Sequence, residues 1–172
     1  MAAVPVVAQG PMMLPAVVVP EPVTTIMFLL PATCGPVVLA EKVTVEVPST
    51  LPAVNGDSAM LRQAFLNLAI NACQAMPSGG SLRLTSAPIA RNRVEVRVQD
   101  TGVGIAPDHL SKIFNLYFTT KERGKGTGLG LSIARRQLEL IGGRLNLESM
   151  PGRGSLFHFT LELPPASLPA SG

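Results

Sequence analysis

Aromatic residues are scarce in this chain: seven among 172 residues. Charge is scarce too, with 14 Lys+Arg against 11 Asp+Glu and a net charge of +3. No basic stripe interleaved with aromatics is present, which argues against a nucleic-acid partner. The two cysteines, Cys34 and Cys73, match no metal-ligand or redox spacing and read as reduced thiols of a cytoplasmic protein. A long uninterrupted apolar run is also missing. The first forty residues carry one charge, Glu21, but prolines at 5, 11, 15, 20, 22, 31 and 36 interrupt them. No Pro-free stretch reaches the ~20 residues that a membrane span needs. No Lys or Arg precedes the apolar part, so a secretory signal is not expected either.

What remains is organised unevenly. Residues 1–20, rich in Pro and Val, are expected to form a disordered tail, and residues 165–172 another. The stretch 22–42, PVTTIMFLLPATCGPVVLAEK, has room for an interrupted helix. KVTVEV (42–47) alternates apolar and polar residues, the pattern of a half-buried strand. PSTLPAVNGD reads as a loop, after which Asp57 or Ser58 can N-cap a helix over 58–76. Its apolar positions 61, 65, 68, 69, 72 and 76 share one broad face. SLRLTSAP (81–88) and RVEVRVQD (93–100) read as strands, DHLSKIF (108–114) as a short helix, and 115–128 as a long flexible loop. A second long helix is expected over 129–141, then a strand RLNLESM, a turn PGRGS and a last strand. Uneven alternation with hairpin-like neighbours favours an α+β, two-layer architecture: a mixed sheet covered on one face by helices.

Four local patterns carry chemistry, and each has a plain alternative. GKGTGLG (124–130) puts glycines at every second position directly before a helix. Bare backbone N–H groups at a helix N-terminus suit a phosphate, though a flexible turn has the same composition. The stretch is neither a Walker A loop, because Gly126 follows Lys125, nor a dinucleotide fingerprint, because no glycine triplet has that spacing. Asn67 and Asn71 lie four apart, on one helix face at the edge of the apolar stripe. Their amide oxygens are hard ligands suited to Mg²⁺; the alternative is a pair of solvent-facing or capping residues. Asp100 ends a strand and opens DTGVG, where it can accept from an exocyclic amine such as that of adenine, or simply stabilise its own turn. PGRGSLFHF reads as a hairpin turn or as the wall of a pocket.

In their order and spacing these patterns resemble the Bergerat-type ATP-binding domain shared by sensor histidine kinases, type II topoisomerases, mismatch-repair ATPases and some chaperones. The resemblance covers about residues 38–164 and, more weakly, 21–37, so the domain is placed at 21–164. LRQAFLNLAINACQAM resembles the family's N box, DTGVGI its G1 box, IFNLYFTTK its F box, GKGTGLGLSIA its G2 box and GRGSLFHF its G3 box. The fold it implies is a mixed, mostly antiparallel five-stranded sheet with three helices on one face. It implies ATP and Mg²⁺ as cofactors. Asn71 would bind the metal with help from Asn67, and Asp100 would read the adenine amine. Gly102, Gly104 and Ile105 would shape the adenine pocket, with Ser155 supporting it through the hydroxyl that the family more often supplies from Thr. Gly126, Thr127, Gly128, Leu129, Gly130 and Leu131 would hold the phosphates. A segment from about Asn115 to Gly126, including Thr120, would form a lid from which Lys121 reaches the γ-phosphate. Asn115 and Leu116 stand where the family often has an acidic residue and a proline.

The resemblance also points to a branch. Topoisomerase- and chaperone-like members carry a Glu four residues before the metal Asn as a base for water; here that position is Asn67, which takes no proton at neutral pH. A kinase instead leaves water unactivated and spends its groups on positioning and charge neutralisation. Asn67 and Lys121 are therefore the expected catalytic residues of a histidine-kinase domain, and NACQAMPSGG most resembles the nitrogen-regulation type. Complete kinases carry a phosphoacceptor histidine on a dimerising hairpin ahead of this domain. Residues 1–20 hold no His, and the only histidines, His109 and His158, read as ordinary structural residues. The expected partners are thus a phosphoacceptor hairpin acting in trans and, indirectly, a response regulator, with the chain itself cytoplasmic, monomeric and without a visible membrane segment. Alternatives are a nucleotide-binding regulator without phosphotransfer and a serine kinase of the anti-sigma type.

Overall fold

The computed structural model describes residues 16–17, 42–48, 51, 54–89, 92–121 and 126–164. The interrupted helix expected in 22–42 and the tail 165–172 fall almost wholly outside these residues.

The strands are β1 (Ala16–Val17), β2 (Lys42–Glu46), β3 (Val54–Asn55), β4 (Ser81–Ile89), β5 (Arg93–Asp100), β6 (Arg144–Met150) and β7 (Gly154–Glu162). The helices are α1 (Ser58–Ala75), α2 (Pro107–Leu110) and α3 (Gly130–Leu140). Five strands form one sheet in the order β2-β4-β5-β7-β6. Only β2 and β4 run parallel; the other three pairs are antiparallel. β4 and β5 form a hairpin, as do β6 and β7, and β5 and β7 join the two halves.

The alternation of the strands decides which sheet face is buried. Val94, Val96 and Val98 of β5 lie in register with Leu161, Phe159 and Phe157 of β7, and all six are buried. α1 and α3 pack together over this face, α1 against β5, β4 and β7 and α3 against β6. Phe65 of α1 meets Phe159 edge-on, with ring centroids 5.5 Å apart. The α1 stripe is buried as its spacing predicts, through Leu61, Leu68, Ala69, Ala72 and Met76. The opposite sheet face is polar and laced with exposed ion pairs such as Arg83–Glu46 and Arg93–Glu162, each worth ~0–1 kcal/mol.

One expectation is narrowed to a single residue and two local outcomes differ from expectation. Asp57, not Ser58, caps α1: its carboxylate accepts from the N–H groups of Ala59 at 2.8 Å and Met60 at 2.9 Å. The short helix ends at Leu110 instead of Phe114, because the Lys112 N–H turns back to the His109 carbonyl and draws Ile113 into the core. Ala16–Val17 pair antiparallel with Val54–Asn55, a contact within the segments read as tail and loop. Local composition carries no signal for a pairing between partners so far apart in sequence.

Candidate functional site

One face of α1 organises the site. Asn67, Asn71, Gln74 and Ala75 follow one another along that face at three- and four-residue spacing. At Asn67 the start of α3 arrives: a Cβ placed on Gly130 would stand 3.9 Å from the Asn67 Oδ1. At Gln74 the Lys121 Nζ donates to the side-chain carbonyl. At Ala75 the turn after β5 arrives, with the Val103 N–H donating to its carbonyl at 2.9 Å. Three segments separated in sequence thus meet along nine residues of helix, a length of ~12 Å.

The end of the site nearest the sheet is closed and buried. Asp100 is 2% exposed at the end of β5. Its Oδ1 accepts from the Gly102 N–H at 2.8 Å and the Ser155 N–H at 3.2 Å. Burial pushes its carboxyl above the ordinary value of 3.8, against the lowering effect of those two N–H groups and of the Ser155 hydroxyl. Gly104 has φ +69°, and a Cβ there would stand 2.1 Å from the Met150 carbonyl oxygen, so only glycine fits this approach of the turn to β6. Ile105 follows, half-buried, its N–H bound to the Ser149 hydroxyl at 2.9 Å.

The other end is open. α3 begins after Leu129, which offers no side-chain cap, and its first turn has no acidic residue. Among the described residues no side chain caps its leading N–H groups, at the positive end of its dipole. Thr127 is exposed and its hydroxyl stands 3.4 Å from the Leu129 N–H. Gly128 has φ +67°, and a Cβ there would fall 2.4 Å from the Tyr117 carbonyl carbon, so the loop closes on itself only through glycine. Gly126 lies against Lys121 and Thr119, while Leu131 packs against the core.

All the residues singled out in the sequence lie on these two ends or on the α1 face between them, except that Thr120 is exposed and Thr119 takes the structural part, accepting from the Lys121 N–H at 3.1 Å. Among the described residues the Asn67 Nδ2 is buried without a hydrogen-bond partner, while its Oδ1 accepts from the Gln63 Nε2 at 3.4 Å. His109 and His158 are elsewhere. His109 stacks edge-on against Phe118, and His158 lies on the polar sheet face between Glu95 and Glu148. Two residues were missed. Gln74 could have been found, since it is one turn beyond Asn71 on the same face. Ser149 could not, because only the pairing of β6 with β7 sets it opposite Ser155.

The described residues contain no group of three or more His, Cys, Asp or Glu able to hold a metal. An ion bound here would rest on amide oxygens and on its ligand's own oxygens, the donor set that suits Mg²⁺ accompanying phosphates. No described helix is long and apolar enough to cross a membrane.

Known proteins resemble the chain in sequence and fold. Residues 56–165 match the family described as histidine kinase-, DNA gyrase B-, and HSP90-like ATPase. The chain is 38% identical over 120 residues to the adaptive-response sensory kinase SasA of Thermosynechococcus vestitus, covering 69% of this chain and 32% of the relative's length. It superposes on full-length ShkA, solved in complex with AMPPNP, with a TM-score of 0.68 and 32% identity over 86% of this chain and 31% of that one. The catalytic domain of histidine kinase ThkA, solved free of nucleotide, gives a TM-score of 0.61 and 33% identity over 70% of this chain and 78% of that domain.

Proposed function

The chain belongs to the histidine kinase-, DNA gyrase B- and HSP90-like ATPase family, on the side of the histidine-kinase catalytic domains, and from that premise we propose that it binds Mg-ATP and passes the γ-phosphoryl to a histidine. The observation that carries the kinase reading is Asn67. It lies on α1 beside the start of α3, four residues before Asn71, where the resemblance gives topoisomerase- and chaperone-like members a Glu as base for water, and its amide cannot take a proton at neutral pH.

In this reading the two ends of the cleft divide the nucleotide. Asp100 accepts from the exocyclic amine of adenine, in the pocket shaped by Gly102, Gly104, Ile105 and Ser155. The uncapped N–H groups after Leu129, with the glycines of 126–130, take the phosphates. Asn71, assisted by Asn67, presents amide oxygens to Mg²⁺, which when bound neutralises phosphate charge. Lys121, held at Gln74 one turn from Asn71, is placed to follow charge onto the transferring phosphoryl.

The acceptor is a histidine of a dimerising hairpin supplied in trans, and a response regulator receives the phosphoryl next. Residues 21–164 form the catalytic unit, monomeric and cytoplasmic, where ATP and response regulators are found. The wording NACQAMPSGG supports a place near the nitrogen-regulation type.

The deciding experiment measures ATP binding with and without Mg²⁺, then γ-phosphate transfer to a separately prepared histidine hairpin. Mg-dependent binding with transfer is expected. Binding with no transfer to any hairpin would replace the kinase with a nucleotide-binding regulator, and transfer to a serine acceptor would point to the anti-sigma type.

A further inference from the structure

β6 carries a hydroxyl that three separate parts of the closed end converge on. The Ser149 Oγ accepts from the Ile105 N–H at 2.9 Å, lies 2.9 Å from the Gly154 carbonyl oxygen that it can donate to, and lies 3.0 Å from the Ser155 Oγ. Ser149 is half-buried and faces Ser155 directly across the β6–β7 ladder, while Ser155 faces Asp100 across the β5–β7 ladder. The three side chains therefore form one row on the helix-facing side of the sheet.

A hydroxyl has one proton to give, and a carboxylate has about four lone-pair sites to fill. Asp100 already takes the N–H groups of Gly102 and Ser155 and the hydroxyl of Ser155. About one site remains for an outside donor. The one proton of Ser149 goes to the Gly154 carbonyl, which can only accept, so Ser149 fixes the backbone next to Ser155, whose N–H holds Asp100. The same Ser149 oxygen anchors Ile105, the last residue of the turn that begins at Asp100. Removing it leaves the Ile105 N–H without its acceptor and the Gly154 carbonyl without its donor.

We propose that Ser149 is a positioning residue for base selection. It acts through Ile105 and Gly154, tying the turn and the start of β7 around Asp100 so that Asp100 stays an acceptor with an open site, which an amine-bearing base fills and a base presenting a carbonyl at that place does not. The inference rests on Asp100 reading adenine.

The test is calorimetric binding of ATP and of GTP, each with Mg²⁺, to the full 172-residue chain and to Ser149→Ala, Ser149→Thr and Ser149→Cys, with melting temperatures alongside. The wild type is expected to prefer ATP. Ser149→Ala should cut the ATP:GTP preference about tenfold, the effect of one buried donor losing its partner, and Ser149→Thr should restore it. Ser149→Cys, nearly isosteric but a weak hydrogen-bonding group, should lose the preference too and carries the test should the alanine variant not fold. If the wild type prefers ATP and both Ala and Cys variants keep the same ratio while only melting earlier, Ser149 is a turn residue and the inference is wrong. A wild type binding both nucleotides equally overturns the adenine role of Asp100, and this inference with it.

Discussion

The two ends of the cleft are built on opposite terms. At the sheet end, Asp100, Ser155 and Gly154 are buried, and the N–H groups of Gly102, Ile105 and Ser155 all have side-chain partners within the protein. At the α3 end the helix has no side-chain cap, Thr127 is exposed, and the Asn67 Nδ2 has no partner. Buried polar groups are normally satisfied, and helix starts are normally capped. The sheet end obeys the rule, and its polar groups hold one another in place. The α3 end departs from it, and in the proposed reading its uncapped donors take the phosphates. Selection among bases needs a fixed acceptor, whereas handling phosphates needs uncommitted donors and charge.

This contrast can be tested by damaging each end in turn. Asn71→Ala should be the most severe. Groups that only orient a metal's ligands cost ~10–100-fold when lost, so removing a ligand itself should weaken Mg-ATP by at least ~100-fold. Unchanged affinity in a titration with and without Mg²⁺ would remove Asn71 from the metal site. Lys121→Ala should leave ATP affinity within about threefold of wild type yet slow phosphoryl transfer by ~100-fold, as for one lost donor to a transition state. A large fall in affinity instead would make Lys121 a clamp on bound nucleotide.

Asp100→Asn should weaken ATP by ~10–100-fold, the range for a hydrogen bond to a charged group, and narrow its advantage over GTP. The domain itself should not melt earlier at neutral pH, because the substitution removes a carboxylate whose burial is unfavourable. The pH dependence follows with its sign. The folded-state carboxyl lies above 3.8, so its contribution to folding is fully favourable below the unfolded value and is lost as pH rises through the folded one. ATP binding needs the carboxylate and should weaken as pH falls through that same folded value. The difference between wild type and Asp100→Asn should therefore slope in opposite directions for stability and for affinity. Parallel slopes would show Asp100 to be a turn residue alone. Gln74→Ala should be the mildest change, a transfer rate lowered by about threefold for one surface-side hydrogen bond, with base preference untouched. Loss of base preference in that variant would mean the two ends are coupled through α1.

Local chemistry carried most of the architecture. Period-two alternation in RVEVRVQD put three valines on the buried face, the stripe of 58–76 packed as its spacing required, and the paired asparagines landed on one face of α1. Gly104 and Gly128, given by the resemblance as pocket and phosphate glycines, stand where a Cβ would clash with the Met150 carbonyl and with the Tyr117 backbone. Such features depend on neighbours within a few residues, and a chain states them wherever it is read.

Contacts between distant segments were a different matter. The joining of the two hairpins through β5 and β7 lays Asp100, Ser155 and Ser149 in one row, and no short window of sequence contains that register. The choice of Gln74 as the seat of Lys121, and of Thr119 over Thr120 as the brace behind it, depends on where a loop returns to a helix 47 residues earlier in the chain. Residue types and periodicity specify which groups can bind a nucleotide. Which of them share a hydrogen bond depends on packing that brings separated segments together, and that information exists only once the core has closed.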